Sequence, residues 1–536
     1  MPIPFRSLAC LAAFAASASP RAQTAPNPGL PSLTPRVFTS TGPARVNLPA
    51  IQRQPITGFG PPPRQYVVPA EREPVVEPFE PPVEALPPFE IVAPAEPALR
   101  ARPRRSFRAE AAAGSQLGRS ARLDFEAAGE SGLFFVDADF DGVSGSDEYV
   151  HSDRLTVRAG GQSYAPGRLR LDAVVAADTY SLPGATERRT RFAAGTTVGA
   201  SGVGSVPFDA RVGFTQSRVG GGGETNEGRV DAEARVGLAR DQIRLDAAAG
   251  VSGAGFGDAT ASPGGVQYGS AGAAFATGRP DGARLVLGVR GMAVQAADAG
   301  GRDAQAVGPV VDARLPLSGT LVAFATNAPH LEVRSLGAVA LLNPYLAPGT
   351  VVAPDVLPVD ARAGVEVARG RARIRLYGLG TVSPARLVFQ RIGAGFFGES
   401  YLKATTAGIG TDVTFGDPDA FSASAGVEAR RGRTEGGGRL PFYAPVVARA
   451  ALASPFNGGR GRAGLTVQLE SARPDDVTGQ IDAPAFALVG FDARYDVGSG
   501  PFAVIARAER LVGSVERWPG FPEPPFTVQL GLRLSR

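Results

Sequence analysis

The chain is poor in the residues on which most enzymes rely. Of 536 residues only one is cysteine and two are histidine, and Lys403 is the sole lysine among 55 basic residues. Cys10 lies in an N-terminal apolar run, so a chain from which that run has been cleaved carries no thiol. Disulfides and thiol catalysis are thereby excluded. His151 and His330 belong to no zinc or Ser-His-Asp pattern, and no Gly-x-Ser-x-Gly elbow occurs. No enzymatic activity is expected. Long apolar runs are missing too: nothing approaches the roughly 20 residues a membrane-spanning helix needs. Charge of one sign is equally scarce, since 51 acidic residues nearly balance the basic ones and mix with them along the chain. That is unlike the one-sided basic face of a nucleic-acid binder.

What is present begins with Arg6, an apolar run from Leu8 to Ala18, and the small-residue ending Ala16-Ser17-Ala18. This reads as a cleaved secretory signal over residues 1–18, with cleavage as late as 22. Ser7 stands where a lipoprotein signal usually has Leu, which argues against lipidation of Cys10. Residues 19–103 form a proline-rich stretch with clusters such as Pro61-Pro62-Pro63 and Glu77-Pro78-Phe79-Glu80-Pro81-Pro82. Proline fixes φ and lacks a donor, so the expectation is a flexible, extended periplasmic segment. A partner-docking strip, or a length of chain threaded into a barrel mouth, are the functional alternatives. Phe59, Tyr66, Phe79 and Phe89 recur at intervals unusual for a pure linker, which keeps the threaded reading in play beside the solvated spacer.

From about Arg105 to Leu534 small or apolar residues alternate with charged ones. Arg229, Asp231, Glu233 and Arg235 interleave with Val230, Ala232, Ala234 and Val236. Because strand side chains point alternately to opposite faces, each run has one apolar and one charged face. A secreted sandwich or solenoid would have to bury the charged face at high cost. A large antiparallel transmembrane β-barrel over residues 104–536 places the apolar face on lipid and the charged face on a water-filled lumen. At about ten residues per tilted strand plus a connection, it accommodates roughly 20 to 22 strands. The fold class is therefore all-β, and the location a bacterial outer membrane. Val359 to Val367, a turn at Arg369-Gly370 and Ala372 to Tyr377 read as a tight hairpin. The breaks Ser217 to Gly228, Arg431 to Pro445 and Ala472 to Pro484 read as long extracellular loops.

Two constellations carry potential chemistry. The charges Arg168, Arg170, Asp172, Arg229, Asp231, Glu233, Arg235, Arg244 and Asp246 are candidates to line the lumen, either tuning an open pore or closing on one another as ion pairs. Asp137, Asp139, Asp141, Gly142 and Glu148 fit the spacing of a calcium loop. A barrel strand with an acidic lumen stripe accounts for the same residues, since Phe134, Val136, Ala138 and Phe140 would share its other face. Apart from calcium at Asp137, Asp139, Asp141 and Glu148, no cofactor is expected. Gly220 to Gly223 lacks the Lys-Ser/Thr of a phosphate loop and reads as a flexible connection.

The C-terminal stretch from Phe491-Asp492-Ala493-Arg494-Tyr495 through Ala508-Glu509-Arg510-Leu511 to Pro519-Gly520-Phe521-Pro522 and Leu530-Gly531-Leu532-Arg533 resembles the last strands of TonB-dependent receptors. Asn343-Pro344-Tyr345-Leu346, Pro354-Asp355 and Gly364-Val365-Glu366 are similar to a second stretch of that family. The resemblance implies an outer-membrane barrel with a transport or receptor role for an unidentified solute. No plug is evident, and no TonB-contacting segment can be assigned. The chain also departs from the pattern by ending Leu534-Ser535-Arg536 rather than in an aromatic residue. Outer-membrane lipid, the barrel-assembly machinery and a periplasmic partner of the proline-rich segment are the implied partners, with no nucleic acid. A non-transport scaffold or adhesin with a closed lumen is the alternative function.

Overall fold

A computed structural model describes residues 104–535 except for 130, 144–150, 165–166, 182–187, 203–205, 222, 241–242, 259–263, 279–281, 297–302, 344, 348, 394–395, 418–419, 476–481, 514–515, 519–520 and 523–524. The leader over residues 1–18, the proline-rich segment over 19–103 and Glu148 lie outside the described residues.

Twenty-two antiparallel strands form the wall of a barrel. They are β1 (Arg104–Gly114), β2 (Arg119–Ala128), β3 (Gly132–Val143), β4 (His151–Ser163), β5 (Gly167–Ser181), β6 (Arg188–Gly202), β7 (Phe208–Gly220), β8 (Glu224–Arg240), β9 (Ile243–Asp258), β10 (Gly264–Gly278) and β11 (Arg284–Ala296). The second half comprises β12 (Ala304–Pro316), β13 (Leu321–Asn327), β14 (Val359–Arg369), β15 (Ala372–Gly393), β16 (Phe396–Gly416), β17 (Ser422–Thr434), β18 (Val446–Phe456), β19 (Gly461–Glu470), β20 (Phe486–Asp496), β21 (Phe502–Gly513) and β22 (Phe526–Ser535). Each pairs with the next, and β1 closes on β22 from Arg108 opposite Ser535 to Gly114 opposite Gln529. Closure removes the unpaired edges that make open sheets prone to aggregate. Among the described residues no helix is long and apolar enough to cross a membrane.

The alternation sorts side chains as its period of two requires. On β9, Ile243, Leu245 and Val251 stand half or more exposed on the outer face, while Arg244, Asp246, Ala254 and Phe256 turn inward. Leu169, Val212, Ile409 and Leu532 belong to the same outward apolar band. Such a surface would be costly against water and is satisfied by hydrocarbon.

The two ends differ. At the end holding the start of β1 and the finish of β22, connections are short, such as 241–242 and the turn at Gly370 and Arg371, where Gly370 takes φ +60°. At the opposite end lie the long connections 328–358, 435–445 and 471–485. The expected Val359–Tyr377 hairpin is β14 turning into β15. The expected long loop from Ser217 to Gly228 is not one. β7 runs to Gly220 and β8 starts at Glu224, so only 221–223 connect them. Ser217 and Glu227 have polar side chains, yet both are fully buried, because they face a segment of chain inside the barrel rather than water.

Candidate functional site

That segment is the connection between β13 and β14. Alternation stops at Asn327 and resumes at Val359, and the intervening residues fold across the lumen as a strap. Its two legs, His330–Glu332 and Asp355–Leu357, pair antiparallel. Between them helix α1 (Leu336–Leu342) forms from an uncharged apolar run. Ser335 caps it by accepting the Ala338 N–H at 3.1 Å. At its other end the Asn343 side chain accepts the Tyr345 N–H at 3.0 Å, redirecting the chain where helix geometry ends.

The strap is held from both sides. Toward β6–β8, Glu227 accepts the Leu336 N–H at 2.6 Å, satisfying one of the donors every helix start leaves open. Arg191, paired with Asp178, donates to the Ala340 carbonyl at 2.6 Å, and Thr225 accepts the Gly349 N–H at 2.8 Å. A Cβ on Gly337 would sit 3.4 Å from Ala193 and Ser217, so the helix lies directly on the wall. Toward β15 and β16, Glu399 accepts the Val351 N–H at 3.2 Å. The Tyr401 hydroxyl accepts from the Ala353 N–H and donates to its carbonyl. Leu346 bridges Phe397, and Asp355 accepts the Leu387 N–H at 2.6 Å.

Apolar packing completes the attachment. Leu336, Val339, Leu346, Val352 and Val356 are buried with the wall residues Phe256, Val266, Tyr268, Met292, Val294 and Leu387. Each large side chain so buried contributes about 1.5–3 kcal/mol. Within the strap, Arg334 forms ion pairs with Glu332 at 2.5 Å and Asp355 at 3.0 Å. Burial works against the Arg334 charge, but the two carboxylates overrule it and hold its pKa above the ordinary value. Burial likewise pushes the Asp355 carboxyl up, against the pull of Arg334.

A second inward contact adjoins the first. Phe397 meets Phe442 of the 435–445 connection edge-on at 5.8 Å between ring centroids. Arg473 lies over both Phe442 and Phe486, and Arg430 over Tyr443 at 4.4 Å. Leu440 is buried with Val388 and Ala404.

Away from the strap the inner wall is largely ion-paired. Glu110 meets Arg507 at 2.6 Å, Glu366 meets Arg375 at 2.8 Å, and Arg244 meets Asp246 at 2.6 Å. Of the nine candidate charges, Arg170 pairs with Asp172 at 2.5 Å, Arg235 with Glu233 at 2.7 Å, and Arg229 with Asp231 at 3.0 Å. Arg168 shares its face of β5 with Arg170, opposite the exposed Leu169. Arg229 and Asp231 lie close to the strap: Arg229 is fully buried 3.8 Å from Glu227, and Asp231 accepts the Tyr268 hydroxyl at 3.1 Å. The others are distributed around the wall. Asp137, Asp139 and Asp141 alternate along one face of β3, with Arg122 of β2 at 3.4 Å from Asp139. Among the described residues no group of three or more His, Cys, Asp or Glu could hold a metal ion.

Of the two histidines, His330 is at the base of the strap with Nδ1 2.8 Å from the Ala328 carbonyl, and His151 begins β4. The sequence reading missed the residues that hold the strap, namely Arg191, Thr225, Glu227, Asp355, Glu399 and Tyr401. A usable signal was the lapse of alternation between Asn327 and Val359 around an uncharged run of helical length.

No protein-family model matches the chain, and no curated protein sequence does. Solved structures share its fold. The FrpB iron transporter from Neisseria meningitidis superposes with a TM-score of 0.63 at 12% identity, covering 81% of each chain. The copper transporter OprC gives 0.60 at 13% identity over 82% of this chain and 81% of its own. BauA, the ferric preacinetobactin receptor from Acinetobacter baumannii, gives 0.60 at 11% over 81% and 80%. The barrel is thus built like those of TonB-dependent receptors.

Proposed function

We propose that this protein is an outer-membrane conduit or receptor for a solute, with the strap as its internal barrier. The observation that carries this reading is the 22-stranded wall around a lumen crossed by a fitted segment of its own chain, rather than filled by a solid core. Side chains alone fill only small barrels, and larger ones enclose channels or plugged lumens. Structural neighbours bearing the names of iron and copper transporters and of a siderophore receptor add support. The solute is unassigned, and the low identity carries over the fold alone.

The proline-rich segment is a second candidate barrier. It joins the barrel at β1, at the end opposite the strap. Conductance in planar bilayers tests both barriers with three proteins: the mature chain, a chain lacking Thr24 to Pro103, and one in which a short glycine turn replaces the strap. Large steady conductance from either deletion supports a gated conduit. Silence from all three, and from a fourth chain lacking both segments, would leave the closed scaffold or adhesin, in which ion pairs such as those of Glu110 and Glu366 seal the lumen.

A further inference from the structure

The barrel wall is incomplete at its loop end. β13 stops at Asn327, and β14 starts only at Val359. As a result β12 pairs with β13 only from Val311 to Pro316, and β15 pairs with β14 only from Ala372 to Val382. Above those levels, Ala304–Val310 of β12 and Ser383–Gly393 of β15 have no wall strand between them. The strap leg Asp355–Leu357 fills this notch. It is tied to β15 by the Val356–Ala385 bridge and the Asp355–Leu387 contact. Toward β12 it has no such tie: among the described residues no backbone hydrogen bond joins Ala304–Val310 to the strap.

Packing alone closes that side. Gly308 sits so tightly against Pro329 and Pro358 that a Cβ there would collide with both. Proline has no N–H with which to extend a ladder. The floor of the notch, by contrast, is stapled: the Asn327 side chain donates to the Pro309 carbonyl and accepts the Asp360 N–H at 2.9 Å. The seam is apolar on both sides. Outside, Val307 is 70% exposed. Inside lie Phe256, Val266, Tyr268, Met292, Val294 and Leu387, in a part of the lumen where polar residues would be usual.

We propose that this seam is a lateral port between the upper lumen and the outer leaflet, and that what passes it is an amphiphile carrying an acyl chain. This names the solute class for the conduit proposed above and rests on that reading. An acyl tail entering between Val307 and the strap passes from hydrocarbon to the Met292 and Val294 wall without crossing water. Its headgroup would come level with Arg290, which faces inward two residues below Met292 and donates to Ser270 at 2.8 Å. The strap leg moves inward out of the notch together with the His330–Glu332 leg it pairs with, giving up its single Val356–Ala385 bridge and the Asp355–Leu387 contact to β15.

The test uses the full mature chain in lipid nanodiscs doped with a diazirine-bearing hexadecanoic acid, photolysed and mapped by mass spectrometry. A Val356→Cys/Ala385→Cys pair, at directly opposed positions suited to a disulfide, locks the leg to β15 in an otherwise thiol-free protein. Label is expected on inward Tyr268 and Met292 in the reduced protein and several-fold less after oxidation, with outward Val307 labelled equally in both. Asn327→Ala, which removes the floor staple, should raise inward labelling. Inward label that is absent from the reduced protein, or undiminished by the lock, overturns the port. Heat-modifiable migration on gels confirms that each variant is a folded barrel. Conductance of the strap and proline-rich deletions is read separately, so deletions that stay silent alongside lock-sensitive labelling would refute the conduit and leave the port standing.

Discussion

The inner wall is two surfaces in one barrel. Near the terminal end and around β14–β17 it is a lattice of arginines and carboxylates, such as Glu366 with Arg314, Arg373 and Arg375. Under the strap it carries Phe256, Val266, Tyr268, Met292 and Val294. The outer face is apolar around both, so the difference does not come from the membrane. What an inward side chain faces, whether water and other charges or a segment of protein, decides its chemistry.

The sharpest way to break this contrast is to remove the strap. Replacing Ala328–Pro358 by a short turn exposes the apolar wall to water. Steady conductance and strong binding of a hydrophobic dye by the purified barrel are the expected outcomes. Unchanged dye binding would mean that the strap is not what covers that wall. Next in size is Glu227→Ala. It takes away the helix anchor and the farther of the two carboxylates beside the fully buried Arg229, which keeps Asp231 at 3.0 Å, a loss of about 3 kcal/mol for the orphaned buried N–H and the weakened ion pair. Urea unfolding should report it, together with new proteolytic cleavage within 328–358. Leu336→Ala, at a side chain only 1% exposed, should cost about 2–4 kcal/mol by the same assay. On the outer face, Val251→Arg places a charge in hydrocarbon and should destabilise the barrel in bilayers by about 2–4 kcal/mol if Val251 lies near the midplane. In detergent the effect should shrink. The smallest change sharpens the other surface: Glu366→Gln removes one carboxylate facing three arginines, so reversal potentials of the strap-deleted barrel across a salt gradient should shift modestly toward anion selectivity.

The wall was legible because its signal is local. Any four residues such as Arg229 to Ala232 already show the period of two, and repetition over 22 strands leaves few architectures that could use it. Tight turns could be read for the same reason, as at Arg369-Gly370. The strap was not, because its meaning is tertiary. Leu336–Leu342 taken alone is merely an apolar run, and nothing local says that it lies against Ala193 and Ser217, more than a hundred residues earlier. The Ser217–Gly228 error has the same origin: polar residues in a glycine-rich stretch suggest solvent, whereas Thr225 and Glu227 are polar in order to receive backbone N–H groups of the strap. The residues Asn343 and Asp355, which carry part of the resemblance to TonB-dependent receptors, lie in the strap and not in a wall strand.

Both ends of the strap run directly into wall strands, at Asn327 and Val359. It is therefore a tethered ligand of its own lumen. A segment held this way rebinds at an effective concentration on the order of millimolar, whatever the amount of protein in the membrane. Any solute that occupies the same apolar wall must outcompete that local concentration, so its apparent affinity will be weaker than its contacts alone would give. Once the solute leaves, the strap closes again without having to find its partner.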